Sequence, residues 1–119
     1  MTKFKFTLLL IILTNTLNAQ VKVLSLNQLN KRIAKGKDTT YVVNLWATWC
    51  APCVEELPYF ERIHQENLNK PIKVILLSLD FKSKLNSDIV PFVIKNKLST
   101  EVFVIDEPNQ QTFNKLMHK

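Results

Sequence analysis

Residues 41–58 read Tyr-Val-Val-Asn-Leu-Trp-Ala-Thr-Trp-Cys-Ala-Pro-Cys-Val-Glu-Glu-Leu-Pro, and this stretch carries most of the information about the fold. Its first six residues, Tyr41 to Trp46, are β-branched, aromatic and few, the composition of a buried strand. From Pro52 to about Asn67 the apolar residues Val54, Leu57, Phe60 and Ile63 return every three positions, which marks one face of a helix. Cys50 and Cys53 therefore fall where a strand hands over to a helix.

Outward from this junction the same alternation continues. Upstream, residues 25–35 carry Leu26, Leu29 and Ile33 at helical spacing, with Ser25 as N-cap and Gly36 as a stop. Downstream, Pro71 introduces an apolar run over 72–79, and 88–97 reads as a helix starting near Pro91. A further strand is expected over 101–105 and a last helix over 108–118. A helix followed by this β-α-β-α-β-α order predicts an α/β fold, a mainly parallel sheet with helices on both faces and right-handed crossovers. Val74 to Leu77 is apolar without alternation, as a strand covered on both faces should be.

With 119 residues and 46% hydrophobic content, the chain has room for one ordinary globular domain. The N-terminus stands apart from that domain. Lys3 and Lys5 precede an uncharged, largely apolar run over 6–13, and polar Thr14, Asn15 and Thr16 follow, which is the anatomy of a signal peptide. Such a run rises only about 12 Å as a helix against about 30 Å of hydrocarbon, so no stable membrane span is expected after cleavage. Cleavage after Ala19 would leave a domain over 20–119 and lower the formal charge from +6 to +4. Those lysines are scattered among acids without aromatic interleaving, which argues for solvated faces and against nucleic acid. Gly36 is the only glycine, so glycine-rich phosphate loops, Walker-type or dinucleotide-binding, are excluded.

Cysteine chemistry decides the function class. Two residues between cysteines at a helix start put the first sulfur at the terminus and the second one turn in, close enough to bridge. Unpaired N–H groups and the helix dipole favour the Cys50 thiolate. A thiol of pKa about 8.5 is only about 3% ionised at pH 7, whereas one lowered to about 7 is half ionised. Cys50 is thus the expected nucleophile that forms a mixed disulfide, and Cys53 the resolving thiol. Pro52 stiffens the first helical turn, and Ala51 adds neither charge nor bulk. Competing readings are half of a zinc site, a purely structural disulfide and a peroxide-reducing cysteine. Zinc would need four ligands, and His64 and His118 are not paired at ligand spacing, so no metal or dissociable cofactor is expected.

The run from Asn44 to Pro58 resembles the TlpA/ResA branch of thioredoxin-like proteins, and the order of elements extends the likeness over 24–119. The resemblance implies an exported bacterial thiol-disulfide oxidoreductase, periplasmic or otherwise outside the cytoplasm. A reductant is implied more than an oxidant, with exported protein thiols as clients and an upstream membrane electron donor. It makes Trp49 the aromatic flank of the site, Trp46 a residue packed beneath it and Pro58 a kink in the active-site helix. Glu56 matches the acidic position of the family's Glu-x-Pro, where a partly buried carboxylate would exchange the proton of Cys53; the alternative is an exposed helix carboxylate. Asn44 stands where thioredoxins proper carry a buried aspartate, and an asparagine cannot exchange that proton.

Thioredoxin-like proteins also place a cis-proline strand opposite the cysteines, then a hairpin and a helix. No such strand is expected before Lys119, so the domain reads as C-terminally incomplete, with residues 41–46 left as an unpaired edge. The alternative to an enzyme is then a non-catalytic thioredoxin-like module or truncated remnant that binds a partner and turns nothing over.

Overall fold

The computed structural model describes residues 21–106. The leader expected over 1–19, its cleavage point and the last helix expected over 108–118 lie outside the described residues. Within them a four-stranded, all-parallel sheet of β1 (Lys22–Leu24), β2 (Thr40–Trp46), β3 (Ile72–Ser78) and β4 (Glu101–Ile105) has the order β1-β4-β3-β2. Helices α1 (Leu26–Ala34), α2 (Ala51–Glu66) and α3 (Val90–Lys95) cover it. Among the described residues β2 stands at one edge, as expected, and β1 at the other.

Burial explains the order. Val74, Ile75, Leu76 and Leu77 of β3 are each no more than 2% exposed, and their side chains alternate between two cores. On one face Val74 and Leu76 meet Trp46, Leu57, Val93, Val102 and Val104. On the other, Ile75 and Leu77 meet Leu29, Phe103 and Ile105. Since fully burying one such side chain contributes about 1.5–3 kcal/mol, a strand buried on both faces belongs in the interior of the sheet.

One expectation needs correction. A strand precedes the first helix: Lys22–Leu24 pairs with Phe103–Ile105, a segment too short to show any periodicity. The helix expected over 88–97 with its start near Pro91 is α3, with Pro91 in its first turn, and a 3-10 turn (Lys82–Lys84) and a π turn (Leu85–Ile89) lead into it. It ends at Lys95 because Lys97 takes a left-handed conformation, φ 51°. Helix α1 stops before Gly36 as expected, and the residue with positive φ in that turn is Asp38. Gly36 is required for space, because a Cβ there would overlap the Tyr41 ring and hydroxyl. Tyr41 in turn accepts a hydrogen bond from Arg32 (3.1 Å), whose guanidinium also pairs with Glu101 and ties α1 to β4.

The start of α1 follows its sequence signal. Ser25 Oγ accepts from Gln28 N–H (3.2 Å) while Gln28 Oε1 accepts from Ser25 N–H (2.9 Å), a reciprocal capping box. Replacing Ser25 by alanine should destabilise the fold by about 1 kcal/mol, read as a lowered urea midpoint at unchanged slope.

Helix α2 is fastened to the start of β4 by Glu61. Its carboxylate accepts from Thr100 N–H (2.9 Å) and Ser99 Oγ–H (2.8 Å), and Gln65 also donates to Ser99 Oγ (2.7 Å). Burial pushes the Glu61 carboxyl up, but the bonds from Thr100 and Ser99 together outweigh it and hold the group below its ordinary value. A carboxyl depressed in the folded state stabilises the fold above its unfolded value, near pH 4.3, and that contribution disappears as pH falls through the folded value. Glu61→Gln should therefore melt below the wild type at pH 7, and the gap should close when the melts are repeated below about pH 4.

Candidate active site

The end of β2 and the start of α2 are joined by one tight turn. Cys50 N–H donates to the Ala47 carbonyl (3.1 Å), and the Cys50 carbonyl accepts the first helical bond from Val54 (3.0 Å). Cys50 is the N-cap of α2, with extended backbone (φ −98°, ψ 95°), and Ala51, Pro52 and Cys53 form the first turn. An N-cap side chain normally accepts from the second or third amide of its helix. Pro52, the second, has no N–H, so of these two Cys53 is the donor left to face a Cys50 thiolate; in the disulfide the Cys50 side chain takes no cap hydrogen bond.

Cys50 and Cys53 are joined by a disulfide, with Cα atoms 5.3 Å apart. Both are partly buried; Cys53 packs against the core beneath α2, while Ala51 and Pro52 face solvent. Trp46 lies under the site as expected, 1% exposed, with its ring 5.3 Å from that of Phe92 and tilted by 36°. Trp49 is 72% exposed beside Cys50, a flank open to solvent. Pro58 lies inside α2, which runs on without interruption to Glu66. There it borders a cavity of about 450 Å³ between α2 and α3, lined also by Val54, Leu57, Phe92 and Leu98.

Glu56 follows the second of its two readings. Its side chain is exposed on α2, so the carboxylate at that position is a solvent-facing one. Asn44 lies on β2 opposite Leu76, with a buried Nδ2 that has no hydrogen-bond partner. The buried carboxylate near the cysteines comes from a residue that sequence reasoning passed over. Asp80, 4% exposed, accepts from Thr48 N–H (3.0 Å), Thr48 Oγ1–H (2.5 Å) and Ser78 Oγ–H (2.6 Å). The available signal was a lone acid ending the apolar run over 72–79, two residues after a serine. Among the described residues no three His, Cys, Asp or Glu side chains gather as metal ligands, and no helix is long and apolar enough to cross a membrane.

Comparison with known proteins agrees with this geometry. "Thiol-disulfide oxidoreductase ResA" of Oceanobacillus iheyensis is 41% identical over 39 residues, covering 33% of this chain and 20% of that protein. "Sporulation thiol-disulfide oxidoreductase A" of Bacillus subtilis is 29% identical over 76 residues, covering 64% and 44%. "Thioredoxin-like protein YneN" of the same organism is 34% identical over 68 residues, covering 57% and 37%. The chain thus spans less than half the length of these relatives. The solution structure of a Bacteroides vulgatus protein assigned to the thiol-disulfide oxidoreductases superimposes with a TM-score of 0.53 at 28% identity, over 70% of this chain and 51% of that one. With residues 16–116 matching the Redoxin family, and a bridged cysteine pair opening a helix at the end of a parallel strand, the chain belongs to the Redoxin family in its thioredoxin-like, TlpA/ResA-type form.

Proposed function

We propose that this chain exchanges its dithiol with the disulfides of exported proteins, acting as a reductant. Carrying the reading is the Cys50–Cys53 disulfide at the N-terminus of α2, where the outer sulfur belongs to the capping residue. In the reduced state the Cys50 thiolate attacks one sulfur of a client disulfide; that S–S bond breaks, and the departing client thiolate takes a proton from water. Cys53 then loses its proton and attacks Cys50 Sγ, which forms the intramolecular disulfide and frees the second client thiolate. Two electrons have passed from the cysteine pair to the client. A dithiol donor resets the pair by the same steps in reverse, and the pair itself is the redox group, without a dissociable cofactor.

Amide groups at the helix start stabilise the thiolate more than the thiol, and Pro52 holds the turn in shape. Trp49 offers clients an exposed apolar wall beside Cys50. Asn44 has no ionisable group and Glu56 faces solvent, so water takes the Cys53 proton. Export outside a bacterial cytoplasm, to the periplasm or its equivalent, is supported by Lys3 and Lys5 followed by the apolar run over 6–13. There the reset electrons would come from a membrane-bound donor.

In an insulin-reduction assay with dithiothreitol, the wild type should accelerate precipitation and Cys50→Ser should not. With the dithiothreitol removed, reduced Cys53→Ala should still attack but fail to resolve, so a mixed disulfide should accumulate and be visible by mass. Equal rates for the wild type and Cys50→Ser would leave a binding module that turns nothing over.

A further inference from the structure

Asp80 is the only buried charged side chain among the described residues, and neither ion pair found there, Arg32–Glu101 or Lys82–Asp106, involves it. Removing a carboxylate from water without a cation is costly unless hydrogen bonds replace its hydration. Here they do: Oδ1 accepts from the Thr48 hydroxyl, Oδ2 accepts from the Thr48 amide and the Ser78 hydroxyl, and Asp80 N–H donates back to Ser78 Oγ (3.0 Å). Ser78 is the last residue of β3 and fully buried, so the carboxylate is held against the end of the central strand.

Two of the three bonds to the carboxylate come from one residue, and that residue is placed for a purpose. Thr48 lies within the turn closed by the Cys50 N–H to Ala47 carbonyl bond, two positions before Cys50. Gripping both its amide and its hydroxyl fixes the path by which the chain enters the N-cap conformation at Cys50. Hydrogen bonds weaken steeply with misalignment, and Pro52 leaves Cys50 few amides to meet, so a small displacement of this turn would cost the thiolate its stabilisation.

We propose that Asp80 is a positioning residue for Cys50: by clamping Thr48 to the end of β3, it holds the thiolate in line with the amides that open α2. The inference rests on the reading of Cys50 as the nucleophile. A purely electrostatic role would have the opposite sign, since a nearby anion opposes formation of a second one. Glu55 and Glu56 on α2 are exposed and stay constant in every variant described next.

The test measures iodoacetamide alkylation of Cys50 against pH in a Cys53→Ala background, where only one thiol can react. Thr48→Val keeps the amide and the charge but removes the hydroxyl; it should slow alkylation at neutral pH by about threefold or more, with the profile moved to higher pH. Thr48→Ser should match the parent, and Asp80→Asn should shift the same way as Thr48→Val. The proposal is overturned if Thr48→Val matches the parent, if Thr48→Ser behaves like Thr48→Val, or if Asp80→Asn speeds the reaction through loss of its charge. Should Asp80→Asn fail to fold, the two Thr48 variants decide the matter between them. No client or turnover enters this measurement, so a negative insulin assay would remove the proposed function without touching the clamp.

Discussion

The amide groups that open α2 limit what the cysteine pair can do. A helix leaves its first four N–H groups without helical partners, and here they belong to Cys50, Ala51, Pro52 and Cys53. Pro52 contributes none, and that of Cys50 is committed to the Ala47 carbonyl. Ala51 and Cys53 supply the rest. Anion stabilisation at this helix start therefore depends on two donors and the dipole behind them, and its strength depends on how well the Cys50 sulfur is aimed. The same short turn that concentrates reactivity on one sulfur brings the second within bridging reach, with 5.3 Å between the Cα atoms.

Aim at this scale requires a rigid base, and β3 provides it. Its register with β2 sets Trp46 opposite Ser78, and the ladder runs one step further through Leu79 N–H to the Trp46 carbonyl (2.8 Å). Shifting the pairing by one residue would exchange the inhabitants of the two cores, placing Ile75 and Leu77 where Val74 and Leu76 belong. Register is therefore fixed by packing. Because it is fixed, the residues just beyond the two strands, Thr48 and Asp80, meet at hydrogen-bond distance although 32 positions separate them in the chain. The path from apolar sequence to reactive sulfur runs through strand register first and the polar clamp second.

Much of this was legible in the sequence for physical reasons that also mark its limits. Long segments with a strong apolar pattern, such as α2 and β3, declare themselves, because burial imposes a period. The cysteine junction was readable because two residue types and one spacing specify both place and chemistry. Strand β1 was not, since three residues carry no period and pairing with β4 alone defines them. The 3-10 and π turns that lead into α3 were not legible, because an apolar rhythm does not distinguish 3-10, π and α turns. Asp80 escaped because what makes it special is non-local: a lone acid reads as a loop residue until the fold brings Thr48 to it. Glu56 left two readings open for the converse reason. Family position suggested partial burial, whereas its place on α2 turns it toward water.

The positions of these two carboxylates bear on how the steps of the proposed exchange are divided. A group that takes a proton from Cys53 must reach the inner sulfur, on the core side of α2. Asn44, beneath that side, has a side-chain amide that is no base at neutral pH, and its Nδ2 finds no acceptor. Asp80 is committed to three donors from Thr48 and Ser78, on the side of the turn that delivers Cys50. Using it as a base would require breaking the contacts that hold that turn. One buried carboxylate cannot both anchor the nucleophile and serve the resolving thiol, so under the proposed clamp Asp80 would be the anchor and proton transfer from Cys53 would fall to solvent. In such a design the resolving step should follow the intrinsic ionisation of an inner thiol, while the attacking step is accelerated by placement.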